Sequence, residues 1–199
     1  MTAGVVVLAG GEASRLPGKL ALDAGGTPLV VRIFRAVAPG RETVVSCAAT
    51  FAPEIDALLT APLVVDRWKR RGPLAGLLSA LPHLRARYVA AIAGDAPFVG
   101  SALLESLEQA WRDGDEAVVP QHASGRIEPL SALYDRIAFL REGFAVHANG
   151  DGSVAGVVRR LRARMLFVGD PAALRSINTP ADYAAARDAF AAPAASDPQ

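Results

Sequence analysis

The chain has 199 residues, a formal net charge of +1 and 51% hydrophobic residues. That is enough apolar material for a substantial core, and too little excess charge to recruit nucleic acid or an anionic membrane. The single Cys47 rules out an internal disulfide and any cysteine-cluster metal site. No apolar stretch reaches the roughly 18 residues of a membrane span, and the first apolar run breaks at Gly10-Gly11 with no basic segment ahead of it, unlike a signal peptide. The expectation is a soluble, cytoplasmic protein that engages neither nucleic acid nor membrane.

In chain order, Val5 to Ala9 reads as a fully buried strand: short, β-branched and continuous. Thr27-Pro28 opens a helical pattern through Val37, with Thr27 as N-cap and Pro28 at the first helical position. Thr43 to Cys47 is a second strand, Pro53 to Leu59 a short helix, and Leu63 to Val65 a third strand ending at Asp66. Gly72-Pro73 starts a helix to about Leu81, and Tyr88 to Ala93 is a fourth strand ending at Gly94-Asp95. Ser101 to Trp111 is helical. Ala117 to Val119 and Leu130 to Tyr134 are strands, with Ser124-Gly125 as the turn between them. Helical patterns follow near Asp135 to Arg141 and Val154 to Leu161, then a strand near Met165 to Val168 and a last helix from Thr179-Pro180. The Ala/Pro/Ser/Asp-rich tail from Ala191 reads as disordered.

Buried strands alternating with helices give an α/β layer fold around a mainly parallel sheet, as one domain over residues 1–190. In such sheets ligands bind beyond the carboxyl ends of the strands. The first strand leaves into a glycine-rich loop, the third into Asp66 and the fourth into Asp95, so neighbouring strands would gather these groups at one crevice.

Gly10, Gly11, Arg15, Gly18 and Lys19 have the makeup of a phosphate cradle: glycines let backbone N–H groups approach an anion, and the basic side chains add charge. Neither the Walker pattern nor the dinucleotide fingerprint is matched, and a surface loop with Pro17-Gly18 as a type II turn accounts for the same residues. Lysine occurs only at positions 19 and 69 in a chain that otherwise uses arginine, so Lys19 points to a site where a compact ammonium is wanted. Asp95 either holds Mg²⁺ together with substrate phosphates or caps the helix after Pro97. Asp66 has the same two readings, with Arg67 beside it for ordinary ion pairing. Gly72-Pro73 fits a helix start, while Ala75 and Gly76 leave room for a planar ligand against the first turn; Arg70 and Arg71 either meet phosphate or are solvated. Thr179, Pro180 and Asp182 form an ordinary helix start, which leaves Asn178 unexplained. His83, His122 and His147 lack metal-ligand spacing, and Ser14 has no His/Asp partner pattern.

Taken in order, "LAGGEASRLPGKLAL", "GPLAGLLSAL", "GDAPFV", "GRIEPLSALYD" and "INTPADY" resemble the blocks of the MobA-like nucleotidyltransferases, the family that includes the molybdenum cofactor guanylyltransferases. The likeness runs from Val5 to about Arg187. It implies a three-layer Rossmann-like fold with a mixed, mainly parallel sheet. It also implies transfer of GMP from GTP to molybdopterin cofactor, with Mg²⁺ and release of pyrophosphate, and passage of the product to molybdoenzyme-maturation proteins. By resemblance, Leu8, Ala9, Gly10, Gly11, Arg15 and Lys19 hold the nucleotide, with Gly72, Pro73 and Gly76 beside it and Asp66 as a nucleotide-side carboxylate. Asp95 takes the metal, Arg15 and Lys19 act with it in catalysis, and Arg126, Ser176 and Asn178 face the molybdopterin. The chain departs from the pattern in two places. Gly18 stands where the family loop carries Asp, and Ser46, Cys47 and Ala48 occupy the region where the family often has an Asn that helps read guanine. CTP in place of GTP, another phosphorylated acceptor, and a non-catalytic binding role remain open on these residues.

Overall fold

A computed structural model describes residues 1–10, 16, 18–68 and 72–191. The strands are β1 (Gly4–Leu8), β2 (Thr43–Cys47), β3 (Leu63–Val65), β4 (Tyr88–Ala93), β5 (Ala117–Gln121), β6 (Ser131–Asp135) and β7 (Ala163–Phe167). The helices are α1 (Leu29–Val37), α2 (Ala52–Leu58), α3 (Gly72–Ala80), α4 (Ser101–Ala110), α5 (Arg136–Ala148), α6 (Val154–Val158) and α7 (Pro180–Ala191). Short 3₁₀ turns cover Lys19–Ala21, Leu81–His83 and Pro171–Leu174.

All seven strands form one sheet in the order β3-β2-β1-β4-β6-β5-β7. β1 pairs in parallel with β2 on one side and β4 on the other, and β3 continues the parallel run. β6 is the reversed strand, antiparallel to β4 and to β5, and β7 pairs in parallel with β5. The sheet is therefore mixed and mainly parallel, as the sequence implied.

Strand alternation sends side chains to two apolar layers. Val5, Val7, Val45, Ala90, Ile92 and Leu133 pack with α1, α4 and α7. Val6, Val44, Val89, Ala91 and Tyr134 pack with α3, α5 and α6. β1, β2 and β4 are covered on both faces, which is why these segments read as continuous apolar runs rather than alternating ones.

Most predicted elements are present, and the differences have physical causes. α1 starts at Leu29 with Pro28 as N-cap and no side-chain cap, so Thr27 does not cap it. The chain enters from a tight reversal instead: Leu29 N–H donates to Leu22 O and Ala24 N–H to Thr27 O. α5 runs well beyond Arg141 to Ala148. Gly143 inside it allows close packing on α3, since a Cβ there would lie 2.9 Å from Leu78 Cδ2. α6 ends at Val158, short of the Leu161 expected. The last helix begins as its sequence indicates: Asp182 N–H donates to Thr179 Oγ1, and Asp182 Oδ2 accepts from the N–H groups of Asn178 and Thr179. α7 includes Ala191, and the rest of the predicted tail lies outside the described residues.

Two outcomes follow for stability. Thr179→Ala removes one arm of the α7 cap, and urea unfolding is expected to register a loss of about 1 kcal/mol. At the edge opposite the strand carboxyl ends, Glu108 of α4 accepts from Ala3 N–H and from Arg41. Burial opposes its charge, but the bonds from Arg41 and Ala3 outweigh burial and hold the carboxyl below its ordinary value. A depressed carboxyl contributes stability above its unfolded pKa, about 4.3, and loses it as pH falls through the folded value. Glu108→Gln is therefore expected to be less stable than the parent at neutral pH. The gap should narrow as pH drops below about 4, as read by urea unfolding across a pH series.

Candidate functional site

The carboxyl ends of β3, β2, β1 and β4 lie side by side, and each delivers a different group. β1 ends at Leu8 and continues into Ala9 and Gly10, with Ala9 N–H donating to Ser46 O of β2. Gly10 is forced by space: a Cβ on it would stand 2.6 Å from Ala48 N and 2.8 Å from Cys47 Cα. Backbone atoms cannot yield as a flexible side chain can, so only glycine lets the loop leave β1 this close to β2. On the other side of β1, Gly94 N–H donates to Leu8 O, and a Cβ on Gly94 would approach that oxygen to 2.7 Å. Gly94 did not stand out in the sequence; its signal was a small residue between a buried strand and an aspartate.

Asp95 follows directly. Its backbone carbonyl accepts from Ile177 N–H at 2.8 Å, which ties the segment before α7 to the end of β4. The Lys19 ammonium donates to Asp95 Oδ2, to Asn178 Oδ1 at 3.2 Å and to Ile177 O at 3.5 Å. The Lys19 and Asp95 side chains are only 16% and 18% exposed. Residues far apart in sequence thus converge on one cation. Lys19 sits in a 3₁₀ turn after Gly18, whose φ of 67° is the left-handed conformation that glycine supplies. The helix-cap alternative for Asp95 does not hold, because α4 starts after Gly100 and has no side-chain cap.

At the other end of the crevice, Asp66 follows β3. Ser46 Oγ donates to Asp66 Oδ1 at 2.5 Å and lies 3.1 Å from Gly76 O. Burial pushes the Asp66 carboxyl above its ordinary value, and the Ser46 hydroxyl opposes the shift. Gly76 is glycine for want of space: a Cβ would meet Leu8 Cδ2 at 2.9 Å, Ser46 Oγ at 3.1 Å and Asp66 Oδ1 at 3.4 Å. The sequence marked Asp66 and Gly76 but gave Ser46 no role. The clue was a polar side chain inside an apolar strand, and Ser46 is in fact buried at 1% exposure.

Gly72 and Pro73 open α3 farther out, with Gly72 at φ 66° against Gly152 O. They line an open cavity of about 490 Å³ with Pro129, Leu130, Gly150, Gly152 and the start of α6. Leu130 O accepts from Ala93 N–H, so this cavity adjoins the end of β4. Arg126 is on the β5–β6 connection at the same edge of the sheet, where its guanidinium pairs with Glu128 beside His122; no hydrogen bond joins it to the Lys19–Asp95 group among the described residues. Ser176 is half-buried next to Ile177. Gly11, Arg15, Arg70 and Arg71 lie outside the described residues.

No three His, Cys, Asp or Glu side chains gather as a metal site among the described residues. The donors around the Lys19 ammonium are all oxygens: a carboxylate, an amide and a carbonyl. That set fits a hard cation which brings most of its own ligands as phosphate oxygens and water, the usual mode of Mg²⁺ at nucleotides.

A family model described as the MobA-like NTP transferase domain matches residues 5–166. A probable molybdenum cofactor guanylyltransferase of Natronomonas pharaonis is 35% identical over 136 residues, covering 65% of this chain and 66% of that protein. The chain thus matches just under two thirds of that relative's length. A probable molybdenum cofactor guanylyltransferase of Bacillus cereus is 31% identical over 133 residues, with the same shares covered. Among solved structures, molybdopterin-guanine dinucleotide biosynthesis protein A of Archaeoglobus fulgidus superposes with a TM-score of 0.81 at 26% identity, covering 94% of this chain and 97% of that one. With its fold, its ordered blocks and this match, the chain belongs to the MobA-like NTP transferase family.

Proposed function

We propose that this protein transfers GMP from GTP to the terminal phosphate of molybdopterin cofactor. The observation that carries the reading is the convergence of Lys19, Asp95 and Asn178 where β1 and β4 end. The named relatives support the choice of nucleotide and acceptor. A terminal phosphate is already anionic, so its oxygen attacks the α-phosphorus without a strong general base. A new P–O bond forms there as the bond to the β-phosphate breaks, and pyrophosphate leaves with the electron pair. Catalysis of this kind rests on positioning and charge stabilisation, and the site offers carboxylates and a partly buried ammonium rather than a His or Ser nucleophile.

Each residue has a defined task in this reading. Gly10 and Gly94 bring backbone close to the phosphates. Lys19 neutralises charge that builds on the transferring group, with Arg15 as its partner. Asp95 is the protein's ligand for Mg²⁺, which when bound screens the phosphate charges and favours departure of pyrophosphate. Asn178 orients Lys19 through its amide oxygen, and Arg126 and Ser176 serve the acceptor. The product would be handed on to molybdoenzyme-maturation proteins. Residues 1–190 would act as one domain.

Pyrophosphate release is the direct test, with molybdopterin cofactor and either Mg-GTP or Mg-CTP. GTP-dependent release is expected; preference for CTP moves the chain to cytidylyl transfer, and absence of release with either sinks the enzyme reading. Asp95→Asn keeps shape but removes the charge, and is expected to lower turnover by about 10²-fold or more, with a modest fall in melting temperature because Lys19 loses its charge partner. Near-normal turnover of that variant at saturating Mg²⁺ would remove Asp95 from the site.

A further inference from the structure

At the β3 end of the crevice, a buried hydroxyl holds a half-buried carboxylate. Ser46 Oγ donates to Asp66 Oδ1 at 2.5 Å, and Ser46 is 1% exposed. Among the described residues no hydrogen bond reaches Asp66 Oδ2. Gly76 leaves room for this pair, because a Cβ there would stand 2.9 Å from Leu8 Cδ2 and 3.1 Å from Ser46 Oγ. The sheet order places β3 three strands from β4. At about 4.8 Å per strand that is roughly 14 Å, a span that an extended nucleotide covers with its phosphates beside Lys19 and Asp95 and its base beside Asp66.

We propose that Ser46 is a positioning residue for base selection: it fixes one oxygen of Asp66 and so presents the other to the Watson–Crick donors of guanine. The inference rests on the nucleotidyl-transfer reading above. An ionised carboxylate only accepts hydrogen bonds. The Watson–Crick edge of guanine offers it two adjacent donors, N1–H and N2–H. Cytosine offers one donor, N4–H, and sets the acceptors N3 and O2 against the same carboxylate. A site built to pair a donor discriminates sharply against a base lacking it, because its own buried group is left unpaired. Ser46 pins Asp66 from the neighbouring strand, so the orientation of the carboxylate is set before any base arrives. The hydroxyl also opposes the effect of burial, which by itself favours a protonated Asp66.

The test compares the parent with Ser46→Ala, Ser46→Cys and Asp66→Asn. It measures GTP and CTP binding by calorimetry, kcat and KM for both nucleotides with molybdopterin cofactor, and melting temperature. The parent is expected to prefer GTP. Ser46→Ala should weaken GTP about tenfold, through KM rather than kcat, while leaving CTP nearly unchanged. Ser46→Cys keeps the side-chain volume but is a poor donor, so it should share the defect; a defect in Ser46→Ala that Ser46→Cys repairs would assign the effect to packing and overturn the proposal. An unchanged GTP-to-CTP ratio in both Ser46 variants, with Asp66→Asn impaired, would overturn the role of Ser46 and leave the transferase reading intact. A parent that binds and turns over neither nucleotide would overturn that reading itself. If the parent binds GTP without turnover, the calorimetric ratios alone decide the Ser46 proposal.

Discussion

The close approach of β1 and β4 at their carboxyl ends is the constraint on which the site depends. Gly94 can donate to Leu8 O at 2.9 Å only because it carries no side chain. Gly10 does the same for β1 against β2. These two glycines compress the exits of three strands into one narrow front, so that Lys19 from one loop and Asp95 from another meet directly. Wider exits would leave the two charges to solvent, where an exposed pair contributes little. Partly enclosed, the pair forms a defined cationic seat lined by oxygens.

The fold was largely legible. In the parallel half, β1, β3 and β4 are short apolar runs that end in glycine or aspartate, and strand ends and helix ends are where punctuation residues act most strongly. The Thr179–Asp182 cap was readable residue by residue because all of its parts are local. What could not be read were features set by packing between distant segments. The Thr27-Pro28 dipeptide looks like a cap, but Leu22 already satisfies the Leu29 N–H, so the hydroxyl has no task at that terminus. The extension of α5 past Arg141 depends on Gly143 meeting α3, a partner some sixty residues away in the chain.

The same distinction governs the site. Residue type and position after a strand singled out Asp66 and Asp95, since a carboxylate at a strand's carboxyl end needs no knowledge of its neighbours. For Asp95 the sequence left two roles open, and only the placement of α4 removed the cap. Ser46 received no role from the sequence because its partner Asp66 follows another strand, and Arg126 gives the converse case. Its sequence block puts it at the right edge of the sheet, yet its guanidinium is engaged by Glu128 next to His122 rather than by the Lys19–Asp95 group.

The reversed strand has a consequence for how such a protein can change. Because β6 runs against its neighbours, the β5–β6 connection turns back at the same edge as the parallel strand exits. A parallel strand in that place would need a crossover helix, and the connection would return along the far side of the sheet. The crevice therefore has two rims with separate ancestry in the chain: one made by the exits of β1 to β4, the other by a hairpin-like loop and the turn before α6. Loops tolerate insertion and exchange far better than the strands that hold them. The second rim is thus a cassette, whose residues can change without touching the register that holds the first.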